Sequence, residues 1–224
     1  MSFPLIPHYA VLDPKLTYTL PPHLTSTTGM DALTHAVEAY IGRSTSQETR
    51  KLAMEATKLI FENIEKAYTD GYDYDARKNM LYASYKAGVA FSKSYVGYIH
   101  AVAHALGGQY GVPHGLGNAV IMPYVLETYG KSVHKKLHKP AVAAGISSEN
   151  DSYKTGAENF INGIKELNKK MQTPDKLTGI SEEDISLMAK YAEKEANPLY
   201  PVPKLMTRKE IESFYYKVQM GGKK

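Results

Sequence analysis

From residue 28 onward, nearly every stretch of this chain spaces its apolar residues at the interval of a helix, and this constrains the fold more than any other feature. In "TGMDALTHAVEAYI" the residues Met30, Leu33, Ala36, Val37 and Tyr40 fall at helical spacing. "TRKLAMEATKLIFENIEKAY" makes a second stripe from Leu52, Ala56, Leu59, Ile60 and Ile64, and Thr45 with Glu48 ahead of it has the form of a capping box. "DARKNMLYASYKAGVAF" continues in the same manner. Ser181 with Asp184 and Thr207 with Glu210 mark two later helix starts, and Pro198, Pro201 and Pro203 punctuate between them. One run, "YAVLD" at 9–13, reads as a strand, followed by a proline-rich connector through "DPKLTYTLPPHL". A lone strand has no ladder partner, so it reads as the remnant of a sheet supplied from elsewhere. The expected fold is all-α: a helical bundle over 25–224, preceded at 1–24 by a short strand stub and connector.

The 224 residues, 43% of them hydrophobic, can bury one substantial core. The formal charge of +4 comes from 27 basic and 23 acidic residues mixed along the chain, too dispersed for a nucleic-acid groove. Its densest basic stretch, "HKKLHK" at 134–139, reads as a solvated helix face. Cysteine is absent, which excludes disulfides and thiol nucleophiles and leaves any metal to nitrogen and oxygen donors. The opening "MSFPLIPHYAVLDP" has no basic run, is broken by Pro4 and Pro7, and does not read as a signal peptide. No stretch is long enough to span a bilayer, so a cytoplasmic protein without membrane partners is expected. No G-x-S-x-G is present, and "GGQYG" lacks the strand-before, helix-after context of a phosphate-binding turn.

What the composition leaves open, the histidines narrow. "YIHAVAHALGGQYGVPHG" places His100 and His104 one helical turn apart, with His114 beyond a Gly-Gly break and a proline. Asp31 and His35 repeat the four-residue spacing on another helix. Two helices that each offer a pair of donors, with His114 as a further one, can surround a single ion. The three later histidines sit among Ala, Val, Leu and Gly, where an unpaired imidazole costs roughly 1–3 kcal/mol. Coordination removes that cost.

"TGMDALTHAVEAY", "GYIHAVAHALGGQYGVPHGLGNAVIMPY" and "NPLYPVPKLM" resemble the C-terminal, metal-binding half of the iron-containing (group III) alcohol dehydrogenases, which has the dehydroquinate synthase-like architecture. The resemblance implies metal ligands at Asp31, His35, His100 and His114. It places His104 beside the nicotinamide and substrate as a proton relay, and Phe91 against the nicotinamide. The implied cofactors are Fe²⁺, with Zn²⁺ as the alternative, and NAD or NADP. The implied partners are a small alcohol or aldehyde and an N-terminal cofactor-binding half, with a homo-oligomer left open. Three neutral imidazoles and one carboxylate leave a divalent ion a charge of about +1, enough to acidify an alcohol whose hydride passes to nicotinamide. Many relatives have "FSNAGLG" where this chain has "FSKSYVG", so Lys93 and Tyr95 put pocket size and substrate choice outside what the resemblance carries over. Family members begin with an α/β half bearing a "GGGS"-type turn; none occurs here, and the chain alone is expected to be inactive. The alternatives are a zinc-dependent glycerol dehydrogenase-like relative and a non-catalytic, metal-stabilised helical module.

Overall fold

The computed structural model describes residues 9–220. Nine α-helices run through them: α1 Pro22–Ile41, α2 Gln47–Thr69, α3 Tyr74–Ser94, α4 Tyr98–Tyr110, α5 His114–Tyr129, α6 His134–Ala143, α7 Tyr153–Lys170, α8 Glu182–Ala196 and α9 Arg208–Val218. No sheet forms among the described residues. The one β contact is an isolated parallel bridge between Leu177 and Gln219, which fastens the α7–α8 connection to the end of α9.

The strand expected at 9–13 is not formed: these residues carry no strand pairing, and Tyr9 and Val11 are 91% and 93% exposed. A strand draws its stability from ladder partners, and the described residues offer it none. The chain turns instead at a short 3-10 segment, Pro14–Thr17, capped by the Asp13 carboxylate. Helix α1 then starts at Pro22, inside the stretch expected to be connector. Proline suits a first helical position because the amide it lacks would have no intrahelical partner there.

Two local expectations shift. The capping box of α2 is built one residue later than Thr45 and Glu48, from Ser46 and Thr49: Ser46 Oγ accepts from Thr49 N, and Thr49 Oγ1 from Ser46 N. Glu48 turns outward to Lys93 at 2.9 Å. The Gly-Gly break at 107–108 is also absent, since α4 runs through both glycines to Tyr110 and ends only at Gly111, whose φ is 65°. Glycine costs a helix about 1 kcal/mol relative to alanine. The last turn is held regardless, because the Tyr110 hydroxyl donates to Asp184 Oδ2 at 2.6 Å and accepts from Ser181 N, at the start of α8. The α9 box expected from Thr207 and Glu210 is formed.

α1 is the hub, packed against α2, α3, α4, α5 and α6. Its Met30, Leu33, Ala36 and Val37 are buried, each large side chain contributing about 1.5–3 kcal/mol. Buried Arg77 of α3 donates to Leu20 O, Thr25 Oγ1 and Gly71 O, clamping the connector to the helices. α4 lies between α5 and α8, and α9 closes over α8. The "HKKLHK" segment is only half solvated: Lys135 and Lys139 are exposed, but Leu137 and His138 face inward from α6. No helix among the described residues is long and apolar enough to cross a membrane.

Candidate metal centre

Three helices deliver donors to one point. Asp31 and His35 stand one turn apart on α1, His100 lies in the first turn of α4, and His114 opens α5. Each offers a donor atom, and all four atoms lie within 4.8 Å of one another. Asp31 Oδ1 is 3.7 Å from His100 Nε2 and 3.1 Å from His114 Nε2, while Oδ2 is 3.9 Å from His35 Nδ1. The α5 start comes this close because residue 115 is glycine; a Cβ there would sit 2.3 Å from Thr27 O on α1.

A carboxylate that the sequence reading missed anchors the buried end. Glu38, one turn beyond His35 on α1, is 4% exposed. Its Oε2 accepts from Gly97 N and faces His100 Nδ1, both at 2.7 Å, and its Oε1 accepts from Ile99 N at 2.8 Å. Glu38 thereby caps α4, whose own N-cap residue, Gly97, has no side chain to do so. The approach requires that glycine, since a Cβ would stand 2.7 Å from Glu38 Oε1. Because an ionised carboxylate only accepts, His100 Nδ1 is the donor and Nε2 points toward Asp31. That Nε2 is buried and has no hydrogen-bond partner. A buried unsatisfied nitrogen costs about 1–3 kcal/mol, and a cation shared with the three other donors would satisfy it. The residues present therefore fit a divalent ion. Asn118, one turn after His114 on α5, donates to Asp31 Oδ1 at 2.6 Å and also went unread.

The electrostatics follow from this crowding. Burial works against the Asp31 carboxylate, but adjacent His100, His35 and Asn118 outweigh it and hold its pKa down at about 2. Burial and the neighbouring charge of His100 push His35 down to about 4. For His100 burial opposes the charge, yet Asp31 and Glu38 win and raise its pKa to about 9. His114 is lowered, chiefly by burial.

His104 does not join the four. Its ring lies 5.2 Å from that of His114 and 5.8 Å from that of His100, and its Nδ1 faces Glu195 Oε1 on α8 at 2.7 Å. The same oxygen accepts from the Tyr200 hydroxyl at 2.7 Å. Burial raises Glu195, but the bonds from His104 and Tyr200 prevail and lower its pKa. Phe91, on α3, stacks flat on His35 with centroids 4.1 Å apart. Lys93 points to Glu48, and exposed Tyr95 ends α3 with a φ of 65°.

The fold and this cluster together define a helical domain with a candidate metal centre, three histidines and an aspartate drawn from three helices. Residues 25–219 match the sequence profile described as Fe-containing alcohol dehydrogenase family, C-terminal, and the chain belongs to that family. Alcohol dehydrogenase 4 of Saccharomyces cerevisiae is 40% identical over 194 residues, which are 85% of this chain and 49% of that protein. A 1,3-propanediol dehydrogenase of Citrobacter freundii is 38% identical over 217 residues, 96% of this chain and 56% of the relative. The crystal structure of a 1,3-propanediol oxidoreductase superposes with a TM-score of 0.88 at 38% identity, covering 92% of this chain and 54% of the other. The chain thus spans about half the length of the curated relatives it matches.

Proposed function

We propose that this helical half is the metal-binding catalytic domain of an NAD(P)-dependent alcohol dehydrogenase that interconverts a small alcohol and its aldehyde. Asp31, His35, His100 and His114 would hold the ion. The observation that carries the reading is the convergence of their donor atoms within 4.8 Å around the orphaned Nε2 of buried His100. Nitrogen and oxygen donors suit Fe²⁺ and Zn²⁺ alike; membership of the iron-containing family favours iron. When bound, the ion supplies Lewis acidity toward the oxygen of the alcohol or aldehyde.

The chain's own residues do the rest. His35 and His100 fix one wall of the site, their rings stacked at 4.6 Å and backed by Phe91. In this reading Phe91 and His104 also meet the nicotinamide. Glu195 accepts the proton on His104 Nδ1, which leaves Nε2 as the basic nitrogen. Nε2 takes the proton an alcohol loses on oxidation and returns one during aldehyde reduction. With its side chain 41% exposed, His104 can exchange that proton with water.

Hydride transfer needs the reacting carbons held roughly 3–3.5 Å apart. Dinucleotides are positioned largely by backbone amides gripping the phosphates at a helix N-terminus, and the sequence between Met1 and Lys224 contains no glycine turn of that kind. Because the chain spans about half the length of its relatives, the activity in this reading is that of a protein in which this domain meets a cofactor-binding half. The test is reconstitution: residues 1–224 mixed with, or fused to, a relative's N-terminal half should oxidise NADH or NADPH in the presence of a short aldehyde. His100→Ala should abolish it. Activity from residues 1–224 alone, lost in His100→Ala, would refute the need for a second half, and inactivity of every metal-loaded combination would refute the dehydrogenase reading.

A further inference from the structure

The basic segment of α6 takes no part in the histidine site. Lys135 and Lys136 occupy the first turn of α6, where aligned peptide dipoles already present positive charge and acidic side chains are the stabilising choice. That turn has no acidic residue, and its N-cap makes no side-chain hydrogen bond. Lys135, Lys136 and Lys139 line an open depression of about 480 Å³ together with Arg43, from the α1–α2 turn, and Arg50, at the start of α2.

None of these five cations has a carboxylate partner among the described residues. Eight other Lys and Arg side chains, from Lys58 to Arg208, each have one within 3.8 Å. Glu48, the acidic residue in the first turn of α2, is taken by Lys93. The protein uses the cluster only in part: Lys135 Nζ lies 5.8 Å from the centre of the Tyr153 ring, Lys136 Nζ donates to Ile41 O and Gly42 O, Arg43 to Pro203 O and Arg50 to Thr45 O. Lys136 is crowded enough that burial, then the charges of Arg43 and Arg50, lower its pKa. Tyr40 lines the same depression, its body buried and its hydroxyl reached by solvent.

We infer that this depression is a binding site for a multiply charged phosphate anion of the di- or triphosphate type. Lys135, Lys139, Arg43 and Arg50 would surround its charge, and the Tyr40 hydroxyl would donate to an oxygen. Charge-assisted bonds of this kind are about twice as strong as neutral ones, and the anion would relieve the repulsion that the sequence otherwise tolerates at the positive end of α6. Along α1 the site lies about 7.5 Å from the nearest histidine on that helix, the rise of the five residues from His35 to Tyr40 at about 1.5 Å per residue.

Titrating the 224-residue chain with inorganic pyrophosphate, followed by amide chemical shifts, should give saturable changes centred on residues 40–50 and 133–140. Lys135→Ala/Lys139→Ala should weaken binding at least tenfold. Lys58→Ala/Lys154→Ala, which removes the same charge from surface pairs elsewhere, should leave it within twofold. A parallel titration with ADP separates the sources of such a phosphate chain: equal affinity places recognition on the phosphates alone, and tighter binding adds a contact to the nucleoside, the site standing in either case. Unchanged affinity in Lys135→Ala/Lys139→Ala, equal weakening in the control pair, or shifts centred on Asp31 and His114 would overturn the site.

Discussion

The two ends of the histidine cluster are built differently from the same residue type. His100 has 2% of its side chain exposed, backed by a carboxylate that is itself buried and that also caps the helix carrying it. His104 and His114 keep 41% and 43% of theirs exposed. The inner end is finished by the folding of this domain: its tautomer, ring plane and backbone are all specified by Glu38. The outer end is open to solvent. One end is therefore fixed by the fold, and the other is left open to solvent among the described residues.

The largest test of that contrast is deletion on each side of it. His100→Ala should abolish tight metal binding, whereas His104→Ala should leave close to one ion per chain by elemental analysis; two equally empty variants would erase the distinction. Next comes removal of the ion itself. The four donors join three separate segments, so a ligand that binds only the native state adds about 4.1 kcal/mol at a thousand times its dissociation constant, and chelation should lower the melting temperature markedly. An unchanged melting temperature would mean that the three helices do not share an ion.

Glu38→Gln should weaken metal affinity about 10- to 100-fold, the range usual for partners that orient a ligand from behind. Glu195→Gln, acting on the outer histidine, should leave affinity unchanged. Competition with a chelator of known affinity measures both, and equal losses would show that the inner end is no more tightly specified than the outer.

The smallest effect is the pH dependence of the metal-free chain. His100, raised from 6.5 to about 9, contributes stability that is complete below pH 6.5 and lost as pH rises through 9. His35, lowered to about 4, is held neutral, so stability also falls as pH drops from 6.5 toward 4. Melting temperature in chelator should therefore peak near pH 6.5. A steady rise from pH 6.5 to 9 would remove the proton from His100.

The helices were legible from apolar residues at helical spacing, one-sided in the Ala56–Ile64 stripe of α2 and set within nearly all-round burial in the Met30–Tyr40 stripe of α1, and the Thr207–Glu210 box was legible because both partners lie within one turn. The candidate donors could be picked out because two pairs share a four-residue spacing, and the resemblance narrowed five to four. What could not be read depends on distant partners. Glu38 acts on residues 59 to 62 positions away, and Glu195 on one 91 positions away. Glu38 did leave a trace, as a carboxylate flanked in sequence by apolar Val37 and Ala39, one turn beyond His35. The continuity of α4 through Gly107 and Gly108 rests on Tyr110 reaching Asp184, a contact no local propensity encodes. The strand at 9–13 failed for the converse reason, because its local composition is favourable but the described residues give it nothing to pair with.

The placement of Asp31, His35 and Glu38 on a single face of α1 bears on how such a chain can diverge. An α-helix turns by about 100° per residue, so gaining or losing one codon between 31 and 38 would swing part of this set away from the rest and into the core. Substitutions can accumulate along that stretch, but its length is frozen. The turn between α6 and α7, at residues 144–152, carries none of these side chains, so a change of length there would leave the donor set in register.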